Sequence, residues 1–457
     1  MTAALGRHTR LACSFYRGGT SKGLLWSTSI LAPFAPLVRD RIICHAMGSP
    51  DPDKRQIDGL GGGISSLSKT AVVGAPDSKL SKRLQSRGEA FAGVDFADDE
   101  QLASRREGGW DLVYRFGQVP VEKATEVDWT STCGNLVSAV ALFGLHEGHV
   151  KQARIAEAFQ EVVGRQPRLG DGFAFPARLL VACSGQIVRA NVPVTLHAVG
   201  GETMWWPDLE GDVSISGVPG TAPGILIETP LGEDLLPTGN QSDTVSVDGA
   251  EYRVSVINAG LPTIFIASDS LGSVLDPEQL AVLSPAQLDA NVALMALLDR
   301  LRVAAAQLTP WLSKTLSPSA PKICIVHPTP PQGYSTTGGE KVAKEHMDLL
   351  IRAVSVGNLH RTVPATCLSA LAAARAFPES TIEQSIHAKT TEGQGGILSI
   401  RVGQPAGVSE ASVKVRPASA HEQRRGLKSV PESIVYYRTA RRIIQGLVDV
   451  PPSILQS

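Results

Sequence analysis

Short apolar runs broken by glycine-rich turns dominate this chain, and in two places small and apolar residues follow one another with almost no polar interruption. Residues 11–16 and 24–26 are apolar and bracket Arg17-Gly18-Gly19-Thr20-Ser21-Lys22-Gly23, which predicts two strands about a turn. Lys69-Thr70-Ala71-Val72-Val73 has the character of a buried strand, and 111–121 reads as another. Residues 39–47 predict a short helix stopped by Gly48-Ser49-Pro50, with Pro52 close behind. Over 136–145, Leu136, Val137, Ala139, Val140, Ala141 and Leu142 predict a helix that is apolar all round, hence one enclosed by protein. From 153 to 198 strands are expected, with alternation over 179–182 and 187–194.

Proline and glycine crowd in Gly217-Val218-Pro219-Gly220-Thr221-Ala222-Pro223-Gly224, the expected linker. Beyond it the pattern starts again. Leu236-Pro237-Thr238-Gly239-Asn240 is followed by strands at 252–257 and 264–267, helices over 277–312, a strand at 322–327 and a polar loop at 329–342. A second nearly all-apolar helix is expected over 363–376, with Ala365, Leu368, Ala370, Leu371, Ala372, Ala373 and Ala374. Two α/β (α+β) halves follow, 1–222 and 223–457, each with strands around one buried helix. This suggests a duplication, although no residue identity proves a repeat. Residues 77–109 are charge-mixed and read as a polar insertion in the first half. Residues 436–447, with Arg438, Arg441 and Arg442, read as a C-terminal surface helix packing back on the first domain.

Composition narrows the function. A length of 457 residues exceeds one core, and the formal charge of −1, from 43 basic and 44 acidic residues, advertises neither nucleic acid nor an anionic membrane. Aromatic residues make up only 5%, too few for a base-stacking platform. Six cysteines, at 13, 44, 133, 183, 324 and 367, form no CxxC pair, which argues against a zinc site and a disulfide framework. Reduced thiols in the cytoplasm are expected. Arg7, His8 and Arg10 are followed by no signal-peptide core, and no apolar run approaches the ~20 residues of a membrane span. A homodimer is the expected assembly on general grounds.

Candidate chemistry gathers in glycine-containing segments. Asp58-Gly59-Leu60-Gly61-Gly62-Gly63-Ile64-Ser65-Ser66-Leu67-Ser68-Lys69 places a lysine at the end of a loop that can present peptide N–H groups and hydroxyls. With Arg17 to Gly23, Cys133-Gly134-Asn135 and Pro237 to Asn240, it would line a pocket suited to a small polyanion. Cys133, at the start of a buried helix, is a candidate proton donor or acceptor; packing is the plainer role. No G-x-x-x-x-G-K-[ST], G-x-S-x-G or H-E-x-x-H is present. His45, His327, His360 and His387 are dispersed and read as core or surface residues.

These motifs together resemble the PrpF family. They are Arg17 to Gly23, Met47-Gly48-Ser49-Pro50-Asp51, Gln56 to Gly63 with Ser68-Lys69, and Cys133-Gly134-Asn135-Leu136, followed by Gly217 to Thr221, Leu236 to Asn240 and Arg438-Thr439-Ala440-Arg441-Arg442. The family includes methylaconitate, methylitaconate and aconitate isomerases and oxalomesaconate tautomerase. The resemblance implies a diaminopimelate-epimerase-like fold, with two similar domains, each a rolled sheet about a central helix, and the site in the cleft between them. It implies a cofactor-independent isomerase of an unsaturated di- or tricarboxylic acid, with no metal, in which Lys69 and Cys133 move the proton. Ser21, Thr20, Gly62, Gly63, Ile64, Ser65, Gly134 and Asn135 would hold carboxylates, joined by Arg352 and Ser355 of the second half. Thr132 stands where the family has asparagine, and Thr391 to Gly396 replace its late His-Pro-Ser-Gly turn. Two rival readings fit the same residues. One is a racemase or epimerase of an amino or hydroxy acid, for which Cys367 would have to be a second acid/base; its place inside a helix favours packing. The other is a non-catalytic accessory of an aconitase-like hydratase, for which an intact Lys69 and Cys133 are superfluous.

Overall fold

A computed structural model describes every residue except 1–2, 6–7, 76–108, 123–124, 130–132, 183–184, 216, 233, 317–319, 356, 387–395 and 457. The polar insertion expected at 77–109 therefore lies outside the described residues save Gly109, as do Thr132, Cys183, His387 and 391–395. Two units are present: Met1–Glu228 with Tyr437–Ser457, and Thr229–Tyr436.

The first unit opens with β1 (Ala3–Leu5), β2 (His8–Gly18) and β3 (Ser21–Ser27), then α1 (Thr28–Leu31) and α2 (Pro36–Met47). It continues with β4 (Lys69–Gly74), β5 (Leu112–Gln118), α3 (Val137–His146) and α4 (Gln152–Val163). β6 (Gly172–Val181), β7 (Ile187–Val199), β8 (Glu202–Pro207), β9 (Val213–Ile215), β10 (Val218–Ala222) and β11 (Ile225–Pro230) complete this stretch. Pairing runs β2–β3 antiparallel, β3–β4 parallel, β4–β5 antiparallel, β5–β6 parallel and β6–β7 antiparallel. Leu24, Trp26 and Val72 on one face pack with Ile42, Ile43 and Met47 of α2. The other face wraps α3, whose residues Val137 to Leu145 are all buried and which touches β2, β4, β5, β7 and β8.

The second unit holds β12 (Asp243–Val247), β13 (Ala250–Asn258) and β14 (Pro262–Ala267), then α5 (Pro285–Asp289), α6 (Val292–Ala306) and α7 (Pro310–Thr315). β15 (Lys322–Pro328), β16 (Tyr334–Ser335), β17 (Lys341–Val342), β18 (Leu349–Ser355) and β19 (Asn358–Leu359) follow. The unit ends with α8 (Ala365–Ala374), β20 (Ile397–Gln404), β21 (Gly407–Pro417) and β22 (Ser429–Arg438), whose last two residues, Tyr437 and Arg438, already belong to the first unit. The pairing repeats that of the first unit: β13–β14 antiparallel, β14–β15 parallel, β15–β18 antiparallel, β18–β20 parallel and β20–β21 antiparallel. α8 fills the place of α3, with Cys367 and Ala370 to Ala374 buried against β13, β14, β20 and β21. The duplicated α/β arrangement expected from the sequence is thus present, with one buried helix inside each set of strands.

Three local expectations fail. Residues 436–447 are not a helix: they end β22 and form most of β23 (Ala440–Val450), which runs antiparallel to β2 from Thr9–Val450 to Gly18–Ala440. The spaced arginines satisfy a helical pattern, but Ile443, Ile444, Leu447 and Val448 favour a ladder where a partner edge is at hand. The supposed linker at 217–224 is largely the β9–β10 hairpin, its turn relaxed by Gly217 at φ +83°, and the divide falls at 228/229 and 436/437 instead. Strand was expected from 153, whereas α4 buries Ile155, Ala158 and Phe159 at helical spacing. No described helix is long and apolar enough to cross a membrane.

Candidate functional site

The Arg17 to Gly23 motif is the β2–β3 hairpin. Gly18 and Gly19 are needed there because the hairpin tip lies against the turn that precedes α3. A Cβ on Gly18 would approach the Asn135 carbonyl oxygen to 2.8 Å and the Ala139 Cβ to 2.9 Å. One on Gly19, where φ is +53°, would come within 2.5 Å of Asn135 Oδ1. Ser21, the first residue of β3, is 3% exposed, and its hydroxyl lies 3.8 Å from the Cys133 thiol. Cys133 is half-buried one turn ahead of α3, and its carbonyl accepts N–H groups from Leu136 at 3.1 Å and Val137 at 3.3 Å.

Lys69 begins β4. It pairs with Gly23 in parallel register on one side and with Gln118 in antiparallel register on the other. Since paired residues share a sheet face and side chains alternate along a strand, Ser21, Gly23, Lys69 and Gln118 all belong to the face that covers α3. A Cβ at Gly23 would indeed lie 3.3 Å from Leu136 Cδ2. The Lys69 ammonium donates to Gln118 Oε1 at 2.9 Å and sits 5.1 Å from the centre of the Phe116 ring. Gln118 Nε2 donates to the Ser68 carbonyl at 2.8 Å, which turns the amide oxygen toward the lysine. Among the described residues no carboxylate pairs with Lys69. Its amine is held in place by a neutral acceptor and a ring face.

The glycine-rich loop is organised by Gln56, whose role the sequence did not reveal. Its backbone is left-handed at φ +50° and its side chain is 1% exposed. Nε2 donates to Ser49 Oγ at 2.7 Å, and Oε1 accepts from the Gly63 N–H at 2.9 Å and from Ser68 Oγ. Asp51 accepts the N–H groups of Asp53, Arg55 and Gln56, which hold its carboxyl below the usual range. Leu60 and Gly61 donate to the carbonyls of Ala46 and Met47. Of the expected carboxylate donors, the Gly63 amide is therefore already engaged, while the N–H groups of Gly62 and Ile64 meet no acceptor among the described residues. Ile64 is exposed, and Ser65 opens a short 3-10 turn, Ser65–Leu67. Gly134 lies between Cys133 and Asn135 in the turn ahead of α3, and Asn135 Nδ2 donates to Thr20 Oγ1 at 3.1 Å.

Arg352 and Ser355 lie on β18 of the second unit. Ile351 and Ala353 pack into the core around α8, so Arg352 points to the opposite face, where its guanidinium donates to the carbonyls of Ile351 and Leu280. It is 2% exposed, and burial pushes its pKa down to about 10. Ser355 ends the strand opposite Asn358. Cys367 is wholly buried as the third residue of α8; a hydrogen bond from Cys324 lowers its pKa, and burial works against that. Burial pushes the Cys44 thiol up to about 12 and raises that of Cys324, as suits packing groups.

The architecture is a duplicated α/β fold whose first unit carries Lys69 on the sheet face that covers its central helix and Cys133 one turn ahead of that helix. The solved methylitaconate-delta-isomerase has the same fold, with a TM-score of 0.70 and 24% identity, over 99% of this chain and 98% of that one. The chain belongs to the PrpF family, whose profile, described as PrpF protein, matches residues 8–82 and 102–451. It is 31% identical over 459 residues to the 2-methyl-aconitate isomerase of Shewanella oneidensis, with 97% of each chain covered. It is 27% identical to the 3-methylitaconate isomerase of Eubacterium barkeri, covering 96% of this chain and 97% of that one.

Proposed function

We propose that this protein isomerises an unsaturated di- or tricarboxylic acid of the methylaconitate, methylitaconate or oxalomesaconate type, with Lys69 and Cys133 as the groups that move the proton. The observation that carries this reading is the Lys69 amine, held by Gln118 and Phe116 with no carboxylate partner among the described residues, on the same helix-covering face as Ser21 and its neighbour Cys133. Relatives that bear isomerase names and align over nearly the whole chain support it.

The chemistry asks for little else. Removal of a proton allylic to a C=C that is conjugated with a carboxylate leaves a delocalised, dienolate-like anion. Its charge spreads onto carboxylate oxygens, where fixed N–H and hydroxyl donors stabilise it. Return of the proton at another carbon shifts the double bond, and rotation before return exchanges cis for trans. One group takes the proton and the other, across the substrate, gives one back. Such a reaction is redox-neutral and needs only acid, base and donors. The described cysteines are all unpaired, which fits a reducing compartment such as the cytoplasm.

Proton NMR in deuterium oxide, with a panel of aconitate, methylaconitate, itaconate and mesaconate relatives, tests the reading. Deuterium should enter the allylic position of at least one acid as its double bond moves. Lys69→Met should abolish both while the far-UV circular dichroism stays native. No exchange into any acid of the panel, or near-normal exchange in Lys69→Met, would sink the proposal.

A further inference from the structure

We infer that Arg438 is a positioning residue of this site: it sets the Asn135 amide so that a one-way chain of hydrogen bonds runs from Arg438 through Asn135 to Thr20 and leaves the Thr20 hydroxyl proton for a substrate carboxylate. The inference deepens, and rests on, the reading of the site as a carboxylate isomerase. Arg438 Nε donates to Asn135 Oδ1 at 2.7 Å, and Asn135 Nδ2 donates to Thr20 Oγ1 at 3.1 Å. A guanidinium offers donors only, so the amide must turn its oxygen to Arg438 and its NH2 to Thr20; the flipped amide would set N–H against N–H. Thr20 Oγ1 is thereby made an acceptor, and its own hydrogen is directed elsewhere.

The candidate site begins one residue further along the chain. Thr20 is exposed at the hairpin tip, and the next residue, Ser21, is the one against Cys133. The tip is rigid because a second arginine clamps it. Arg17 Nη1 donates to the Gly19 carbonyl at 3.0 Å and to the Thr439 carbonyl at 2.9 Å, and the Gly19 N–H also reaches the Thr439 carbonyl at 2.9 Å. The Gly19-Thr20 turn and the Arg438-Thr439 link are thus tied into one piece. The first bond of the chain is charge-assisted, and bonds in series polarise one another, so a cation set back from the substrate strengthens a neutral donor beside it. This gives the Arg438-Thr439 motif a task that its arginines alone did not suggest.

The test is a double-mutant cycle read by calorimetric binding of tricarballylate, a saturated tricarboxylate that cannot isomerise, with turnover measured in parallel. Thr20→Val and Arg438→Met should each weaken tricarballylate binding by roughly ten- to a hundredfold. The double variant should bind no more weakly than the worse single. Thr20→Ser should keep affinity, and Arg438→Lys should not, because an ammonium cannot reproduce the fixed planar donor. Additive losses, rescue by Arg438→Lys, unchanged binding in Thr20→Val, or no tricarballylate binding by the unmodified protein would each overturn the relay. If the Arg438 variants fail to fold, Asn135→Leu breaks the chain at its middle and carries the same cycle. Unmodified protein that binds tricarballylate with coupled losses but turns over no unsaturated acid would overturn the isomerase reading and leave the relay standing.

Discussion

Lys69 is oriented by an amide, and that choice of partner can be tested by changing one atom. Gln118→Glu places a carboxylate where Oε1 now accepts from the ammonium, and an adjacent anion favours the charged lysine. Turnover at neutral pH should fall by about tenfold or more, with the activity optimum moving to higher pH. An unchanged pH–rate profile would mean that Lys69 takes no part in proton transfer. Gln56 supports the same region through three side-chain hydrogen bonds, so Gln56→Leu leaves Ser49, Gly63 and Ser68 with buried groups unmet. The expected cost is about 2–4 kcal/mol, read from urea unfolding. As candidates, Lys69 and Cys133 were visible in the sequence because each adjoins a glycine-rich motif with a chemical meaning. Gln118, Gln56 and Arg438 were not, since their meaning lies in partners brought by pairing. Gln118 meets Lys69 across 49 positions, and Arg438 meets Asn135 across 303.

Among elements, the two central helices were the most legible, because a helix apolar on every side has one physical interpretation. α4 was missed although Ile155, Ala158 and Phe159 keep helical spacing, and β23 was read as a helix because its arginines mimic that spacing while its ladder partner lies more than 400 residues away. α3 carries two predictions. A Cβ at Gly144 would stand 2.3 Å from Leu112 Cδ1, and Leu112 is itself fully buried, so Gly144→Ala should destabilise by about 1–3 kcal/mol. A melting temperature equal to that of the unmodified protein would refute this tight fit. At the helix end, His146 Nδ1 lies 2.8 Å from the Tyr16 hydroxyl, and burial, with Arg442 adding to it, brings the histidine pKa down to about 4. The unfolded chain, with a histidine pKa near ~6.5, then binds the extra proton between those values. The contribution is complete above pH ~6.5 and is lost as pH falls toward about 4. His146→Gln retains an acceptor for Tyr16 without titrating, so the fall in urea midpoint from pH 6.5 to 4 should be shallower in the variant. Superimposable curves would rule out this histidine as a source of acid sensitivity.

On the scale of the whole molecule, the duplication extends to register but not to chemistry. Lys69 opens β4 beside Gly23, and Lys322 opens β15 beside Thr263 in the same parallel arrangement. The thiol is not repeated: four residues ahead of α8 stands Arg361, and Cys367 is sealed inside the helix. A repeat of this kind leaves no residue identity to read, because the backbone pattern of antiparallel and parallel pairs constrains only where apolar residues fall. The chain path adds an asymmetry. Thr229–Tyr436 is one continuous segment, whereas the first unit is completed only when the chain returns as β23 along the full length of β2. Val450, at the end of β23, is fully buried with Leu11 and α2 residues in one core. Removing residues 439–457 would strip β2 of that ladder, expose a long edge and leave Arg17 without its Thr439 partners. Hydrogen exchange on the truncated protein should therefore show α3 and β2 losing protection while α8 keeps it, because the core around α8 contains no residue of the deleted segment. Native-like protection of α3 after the deletion would mean that β23 only decorates the first unit and that its fold is complete without it.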